Sequence, residues 1–175
     1  MMKFWRENVY AAAALLLLRL YVGWAWFDAG LHKITGGFDA TGFLKGAIGG
    51  PVADKATGAA VYPTYVAFLE NFALPNAKLI NFLIPWGELL IGIGLILGTL
   101  TTAAAFFGLM LNFMFLFAGT VSTNPLLTIL GVLILVAGAN AGAFGFDRYL
   151  MPALRKLVGR KPAPAAAEEP AGGAA

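Results

Sequence analysis

From Leu89 to Phe146 the chain runs 58 residues without an Asp, Glu, Lys or Arg. One helix of that length would measure roughly 87 Å against a hydrocarbon core of ~30 Å, so the run must fold back on itself. Two breaks are readable, at Gly98-Thr99-Leu100-Thr101-Thr102 and at Gly119-Thr120-Val121-Ser122-Thr123-Asn124-Pro125. Gly ends a helix, and Asn-Pro turns the chain and restarts one. The pattern predicts spans over residues 79–100, 102–120 and 125–146. An earlier apolar stretch, broken only by Arg19 and a few polar residues near its end, predicts another over 9–31. Met1–Leu18 alone has the outline of a secretory signal, but Arg19 follows directly and no small-residue cleavage site precedes Trp24.

The one long connection, residues 35–78, predicts two short helices. Asp39 can cap a first one running to Ile48, which Gly49-Gly50-Pro51 ends. Tyr65, Phe68, Leu69 and Phe72 share one helical face after Pro63, with Glu70 off it, as in an amphipathic helix lying on a membrane or capping a bundle. The expected fold class is therefore all-α: an integral membrane four-helix bundle with a long extracytoplasmic loop containing short amphipathic helices. Residues 1–160 form the membrane domain. Residues 161–175, a Pro/Ala/Gly-rich segment with two Glu, read as a disordered cytoplasmic tail.

Composition agrees with this reading. Hydrophobic residues make up 59% of the 175 and charged ones 12%, about half the charge of an ordinary soluble domain. A cytosolic enzyme is disfavoured. The net charge of +3 comes from scattered basic residues, so no nucleic-acid groove is read. With no cysteine and a single histidine, no protein-borne metal site is expected; haem on His32 would need a distant Met. Seven basic residues (Lys3, Arg6, Arg148, Arg155, Lys156, Arg160, Lys161) fall on the side of the termini and four (Lys33, Lys45, Lys55, Lys78) on the other. That bias predicts a multi-pass protein of a bacterial or archaeal cytoplasmic membrane with both termini in the cytoplasm.

Ionisable side chains at bilayer depth cost about 2.5–3.5 kcal/mol on insertion scales and are seldom idle. Counted from the span ends, Arg19, Glu88 and Asn112 all reach mid-membrane, which predicts a central polar cluster with Arg19 and Glu88 paired. Such a pair can equally serve helix register alone. Arg19, Gly23, Trp26, Gly30 and Lys33 share one face of the first span, and the glycines there would admit a second helix or a flat ligand. Asp28 and His32, at i and i+4, lie on nearly the opposite face. Trp24, Trp26 and Trp86 can belong to an aromatic belt, but Pro85-Trp86-Gly87-Glu88 places a kink, an aromatic plane and a carboxylate within one turn. Gly92 and Gly94 lack the spacing of a dinucleotide loop; Gly94 and Gly98 read as a helix-packing contact.

Together these segments resemble the DoxX/DoxD family. The residues that carry the resemblance are Arg19, Gly30-Leu-His-Lys33, Gly36-Gly-Phe-Asp-Ala40, Pro85-Trp-Gly-Glu88-Leu-Leu-Ile-Gly92 and Gly94-Leu-Ile-Leu-Gly98. Asn112, Gly119-Thr-Val-Ser-Thr-Asn-Pro125 and Ala137-Gly-Ala-Asn140 ahead of Asp147-Arg148 continue it. The resemblance spans residues 9–150. It implies a four-helix membrane subunit of a thiosulfate:quinone oxidoreductase, in which electrons pass from thiosulfate or a related small sulfur compound to membrane quinone, ubiquinone or menaquinone. It also implies a small redox partner subunit beside the lipid bilayer; a homo-oligomer is a further partner class. Arg19, Lys33 and Glu88 match recurring polar positions of the family.

On this reading Arg19 and Glu88 are the catalytic candidates, the cation favouring reduced quinone and the carboxylate relaying protons. Gly23, Trp26, Gly30, Trp86 and Asn112 would hold the quinone ring. His32, Lys33 and Lys78 would attract a sulfur oxyanion. No flavin, haem or iron–sulfur motif is present, so any further electron carrier would belong to the partner. The alternatives are a non-enzymatic scaffold or assembly partner of a redox complex and, third, a small-solute carrier, which four spans without an inverted repeat disfavour.

Overall fold

The computed structural model describes residues 2–157 and Gly159. A short helix α1 (Met2–Glu7) leads into α2 (Val9–Gly36). Then come α3 (Thr41–Gly49), α4 (Pro63–Phe68) continued by a π-helical turn over Leu69–Ala73, and α5 (Ala77–Leu97). Next are α6 (Thr101–Phe117), α7 (Asn124–Ala137) with a 3₁₀ turn over Gly138–Gly142, and α8 (Asp147–Leu157). The proposed tail, 161–175, lies outside the described residues.

Helix α2, helix α5 and the continuous α7–3₁₀ segment are long and apolar enough to cross a membrane; α6 is apolar but only 17 residues long, about 26 Å. These four helices pack in a closed ring, α2 on α5, α5 on α6, α6 on α7 and α7 on α2. Leu15, Val22, Trp26, Ile91, Leu95, Leu111, Leu127 and Ile134 fill its interior. The outside carries Leu17, Trp24, Phe82, Leu90, Phe106 and Ile129, all more than half exposed. So much apolar outer surface is stable against lipid and not against water. The chain is a membrane protein.

Local chemistry sets the helix ends. The Asn8 side chain accepts from Tyr10 N at 2.8 Å and starts α2. Gly37 and Gly98 end α2 and α5 in the left-handed region, with φ of 72° and 66°. Pro125 sits in the first turn of α7, where its missing N–H is not needed. The first helix runs five residues beyond the expected limit of 31. Asp28, His32 and Lys33 do not end it; they lie on exposed or half-buried positions past the apolar core of the span.

The long connection folds back as a cap with its own small core of Ala40, Leu44, Ala47, Leu69 and Ala73. Asp39 accepts from Thr41 N at 3.0 Å and Thr41 Oγ1 at 2.8 Å, starting α3 as expected. Asn81 of α5 pins the cap, its Oδ1 accepting from Ala40 N (2.8 Å) and its Nδ2 donating to Asp39 (3.1 Å). Tyr65 donates its hydroxyl to the Met114 carbonyl at 2.8 Å, and burial pushes that phenol up to about 12. The expected amphipathic helix is thus present in two pieces. Tyr65 and Leu69 turn toward the bundle, while Phe68 and Phe72 stay exposed.

Candidate functional site

The structure places Arg19 and Glu88, the two most deeply buried charges, at different levels. Helices α2 and α5 run antiparallel with a register fixed by glycines. A methyl group on Gly30 would lie 2.5 Å from Leu89 N and 2.8 Å from the Pro85 carbonyl. One on Gly23 would lie 2.9 Å from Ile96 Cγ1, and Gly92 faces the Phe27 backbone in the same way. Along this seam Lys33 falls beside Glu88 and Arg19 beside Gly98. Arg19 and Lys33 are thus about 21 Å apart along α2.

Glu88, 1% exposed, accepts a hydrogen bond from Lys33 Nζ at 2.6 Å. The Lys33 ammonium also stands 5.8 Å from the centre of the Phe38 ring. The expected Arg19–Glu88 pair is not formed. Counting depth from each span end assumed that α2 and α5 start and stop flush, whereas about ten residues of α2 extend past the end of α5. Glu88 instead takes the cation that α2 offers at its own level, and Lys33 moves from the oxyanion candidates to the role of Glu88's partner.

Arg19, also 1% exposed, lies in a second polar knot at the opposite end. Its guanidinium fills the space over Gly98 and Gly145, where no side chain would fit. It donates to the carbonyls of Phe144 (3.1 Å) and Ala141 (3.3 Å) in the turn after α7. Asp147 completes the knot. It is 8% exposed and accepts from Leu100 N at 2.6 Å and Thr101 N at 2.9 Å, capping α6 from another element. Its own N–H donates to Gly98 O at 2.7 Å. Among the described residues no carboxylate comes within ion-pair distance of Arg19, and its Nε has no partner. Sequence reasoning gave no site role to Asp147, Gly145 or Asn81. The signal for Asp147 was available: it is the first charged residue after the 58-residue uncharged run.

The remaining candidates separate as well. Trp26 is 3% exposed and points into the bundle toward Gly108, whereas Trp86 is 43% exposed on the outer face, tilted against Phe82 at 6.1 Å. They do not flank one site. Asn112 lines a narrow crevice with Val22, Trp26, Leu95 and Gly131, away from both charges, and its buried Oδ1 has no partner. Gly23 and Gly30 are filled by α5, leaving no room for a ligand between the first two spans. His32 pairs with Asp28, its Nδ1 3.2 Å from Oδ1 and 2.9 Å from the Asp28 carbonyl, on the exposed side of α2. Lys78 is exposed in the first turn of α5, about 15 Å along the helix from Glu88. His32, Lys33 and Lys78 therefore do not converge.

An open cleft does lie beside Arg19. It measures about 510 Å³ and is lined by Leu16, Arg19, Ile96, Phe144, Phe146 and Tyr149 among others. It combines a buried cation with apolar and aromatic walls at the rim of the membrane domain, the general make-up of a small-molecule site.

Residues 14–122 match the DoxX family. The chain belongs to this family. The matched segment runs from α2 through α6, so it holds Arg19, Lys33, Glu88 and Asn112, while Asp147 follows it. No curated protein and no solved structure matches the chain.

Proposed function

We propose that this DoxX-family protein is the membrane subunit of a quinone-linked oxidoreductase, passing electrons from thiosulfate or a related small sulfur compound to membrane quinone. The observation that carries the reading is the Arg19 cleft: a buried guanidinium among the residues that line an apolar, aromatic-sided hollow. Its residues suit a quinone head: Phe144, Phe146 and Tyr149 would supply aromatic wall for the ring and Arg19 the positive charge beside it. A bound quinone supplies the redox chemistry, taking up two electrons and two protons. The chain's part is electrostatic. A fixed cation at low dielectric favours negative charge on the oxygen it faces, and the carbonyls of Ala141 and Phe144 hold the fork in place. Electrons would enter from a small partner subunit. Termini in the cytoplasm, as the basic-residue bias suggests, would put this cleft on the cytoplasmic side; labels at Met2 and Ala56 of intact cells test that orientation.

The experiment is purification with assay of bound quinone and of thiosulfate-dependent quinone reduction. Y149L and F144A, on the open wall, should lower quinone content without loss of fold. R19K should keep the charge, lose the planar fork, and lower turnover more than quinone content. Protein that carries no quinone and supports no turnover, even with its partner, would favour the second reading, a non-enzymatic scaffold or assembly partner. The observation behind that reading is the closed α2–α5 seam, whose glycines serve helix packing.

A further inference from the structure

A second cleft lies on the other side of the turn after α7. It measures about 590 Å³ and runs between the α1–α2 junction and α8. Arg148 and Arg155, one on each side of Pro152, line it from α8; Val9, Ala12, Phe144 and Met151 supply apolar wall. Two acids are present. Asp147 has both carboxylate oxygens occupied by the backbone N–H groups of Leu100 and Thr101, and Glu7 is exposed on the α1 side. The four formal charges sum to zero, but with Asp147 committed to those N–H groups and Glu7 on the α1 side, the α8 wall of the cleft presents two guanidinium groups.

Helix α8 is strongly two-faced. Leu150, Met151 and Leu154 are half-buried toward the bundle, while Arg148, Arg155 and Lys156 are exposed. It starts at the level where α6 begins and the α7 segment ends, because Asp147 is bonded to the first turn of α6. That is headgroup depth for a domain whose apolar girdle belongs in hydrocarbon. Phe144, Phe146 and Tyr149 stand exposed beside it.

We propose that this cleft binds the headgroup of an anionic phospholipid, with Arg148 and Arg155 on the phosphate and acyl chains leaving along the exposed apolar surface of the bundle. The two guanidinium groups of the α8 wall select the phosphate, and the apolar wall selects a ligand with a hydrocarbon tail. The proposal does not rest on the quinone reading, although Arg148 and Phe144 line both clefts. Arg155 lines this cleft and not the one beside Arg19, so R155Q tests the lipid site without touching the other.

The test is native mass spectrometry of the full chain released from nanodiscs of mixed phosphatidylglycerol and phosphatidylcholine. Wild type should retain phosphatidylglycerol in preference. R155Q should lower that preference about fivefold, and R148Q/R155Q should lower it further, at roughly fivefold per cation near the surface. K45Q, at the other end of the molecule, should leave it unchanged. A second arm measures inorganic phosphate alone. Phosphate binding as tightly as the lipid would overturn the lipid assignment in favour of a free anion. No preference in wild type, or one that survives the double substitution, would overturn the site itself.

Discussion

Lys33 Nζ meets Glu88 Oε2 at 2.6 Å, and the two partners are unequally buried: the Lys33 side chain is 28% exposed and that of Glu88 is 1%. The inequality gives the pair a direction. Removing Lys33 leaves a carboxylate sealed among helices with no counter-charge. Removing Glu88 leaves an ammonium on a flexible stem that can reach water. K33L should destabilise the protein by about 3–5 kcal/mol, E88Q by clearly less, and K33L/E88L should recover much of the K33L loss. Thermal unfolding in detergent gives the cycle. Additive losses would show that the two side chains do not interact.

The glycines divide into two classes that alanine separates. At Gly30 the added methyl runs into α5 backbone, which has no flexible end to give way. G30A should cost about 1–3 kcal/mol or more through overpacking. At Gly98 the site is occupied by Arg19 and φ is +66°, so strain adds to the clash and G98A should cost at least as much. Gly46, in the middle of α3 with open space around it, is the opposite case. G46A should stabilise by up to about 1 kcal/mol, since alanine favours a helix interior. The three melting temperatures, compared in one detergent, check the ordering; a stable G30A would show that the α2–α5 seam can part to admit a methyl group.

Asp147 ties three segments: the first turn of α8, the end of α5 at Gly98 and the start of α6. Leu100, the residue before α6, is in the left-handed region at φ 50°, which an unaided leucine would avoid. The carboxylate accepting from Leu100 N and Thr101 N holds that turn. D147A should therefore cost about 2 kcal/mol, the upper end of a helix-cap loss. Amide exchange should rise first at the start of α6 and in α8. Uniform loosening of the whole bundle would argue against a local cap.

How far the sequence revealed this arrangement depended on the kind of signal. Span boundaries were legible because charge disappears for 58 residues and Gly and Asn-Pro punctuate the run. The buried face of α2 was legible because Arg19, Gly23, Trp26 and Gly30 recur at helical spacing, and all four are buried. The pairing across helices was not legible, since register depends on where two helices meet and not on how long each is. Trp5 Nε1 donates to Leu133 O at 2.8 Å and Arg6 Nε to Val136 O at 2.9 Å, so α1 packs over the end of α7. Nothing in the hydrophobic period of α2 or α5 announces that α1 and the 3₁₀ turn take up the first ten residues of α2. Arg19 and Glu88 were matched by depth, and that missing offset separated them.

The cap over the bundle should respond to acid before the bundle does. Asp39 is held below the usual carboxylate range by hydrogen bonds from Thr41 N, Thr41 Oγ1 and Asn81 Nδ2. Its pKa is lower folded than unfolded, so its contribution is complete above the unfolded value of about 4. That contribution is lost as pH falls from there through the lower folded value. Protonation weakens the start of α3 and the tether to α5 together, because Asn81 bonds both Asp39 and Ala40 N. Glu88, the carboxylate buried in the bundle at this end, is bonded to Lys33 and not to the cap. Hydrogen exchange over residues 38–50 should therefore accelerate in this acid window while α6 and α7 stay protected. D39N, which has no carboxylate to titrate, should remove the pH dependence. Equal acceleration in D39N and wild type would assign the acid response to some other group.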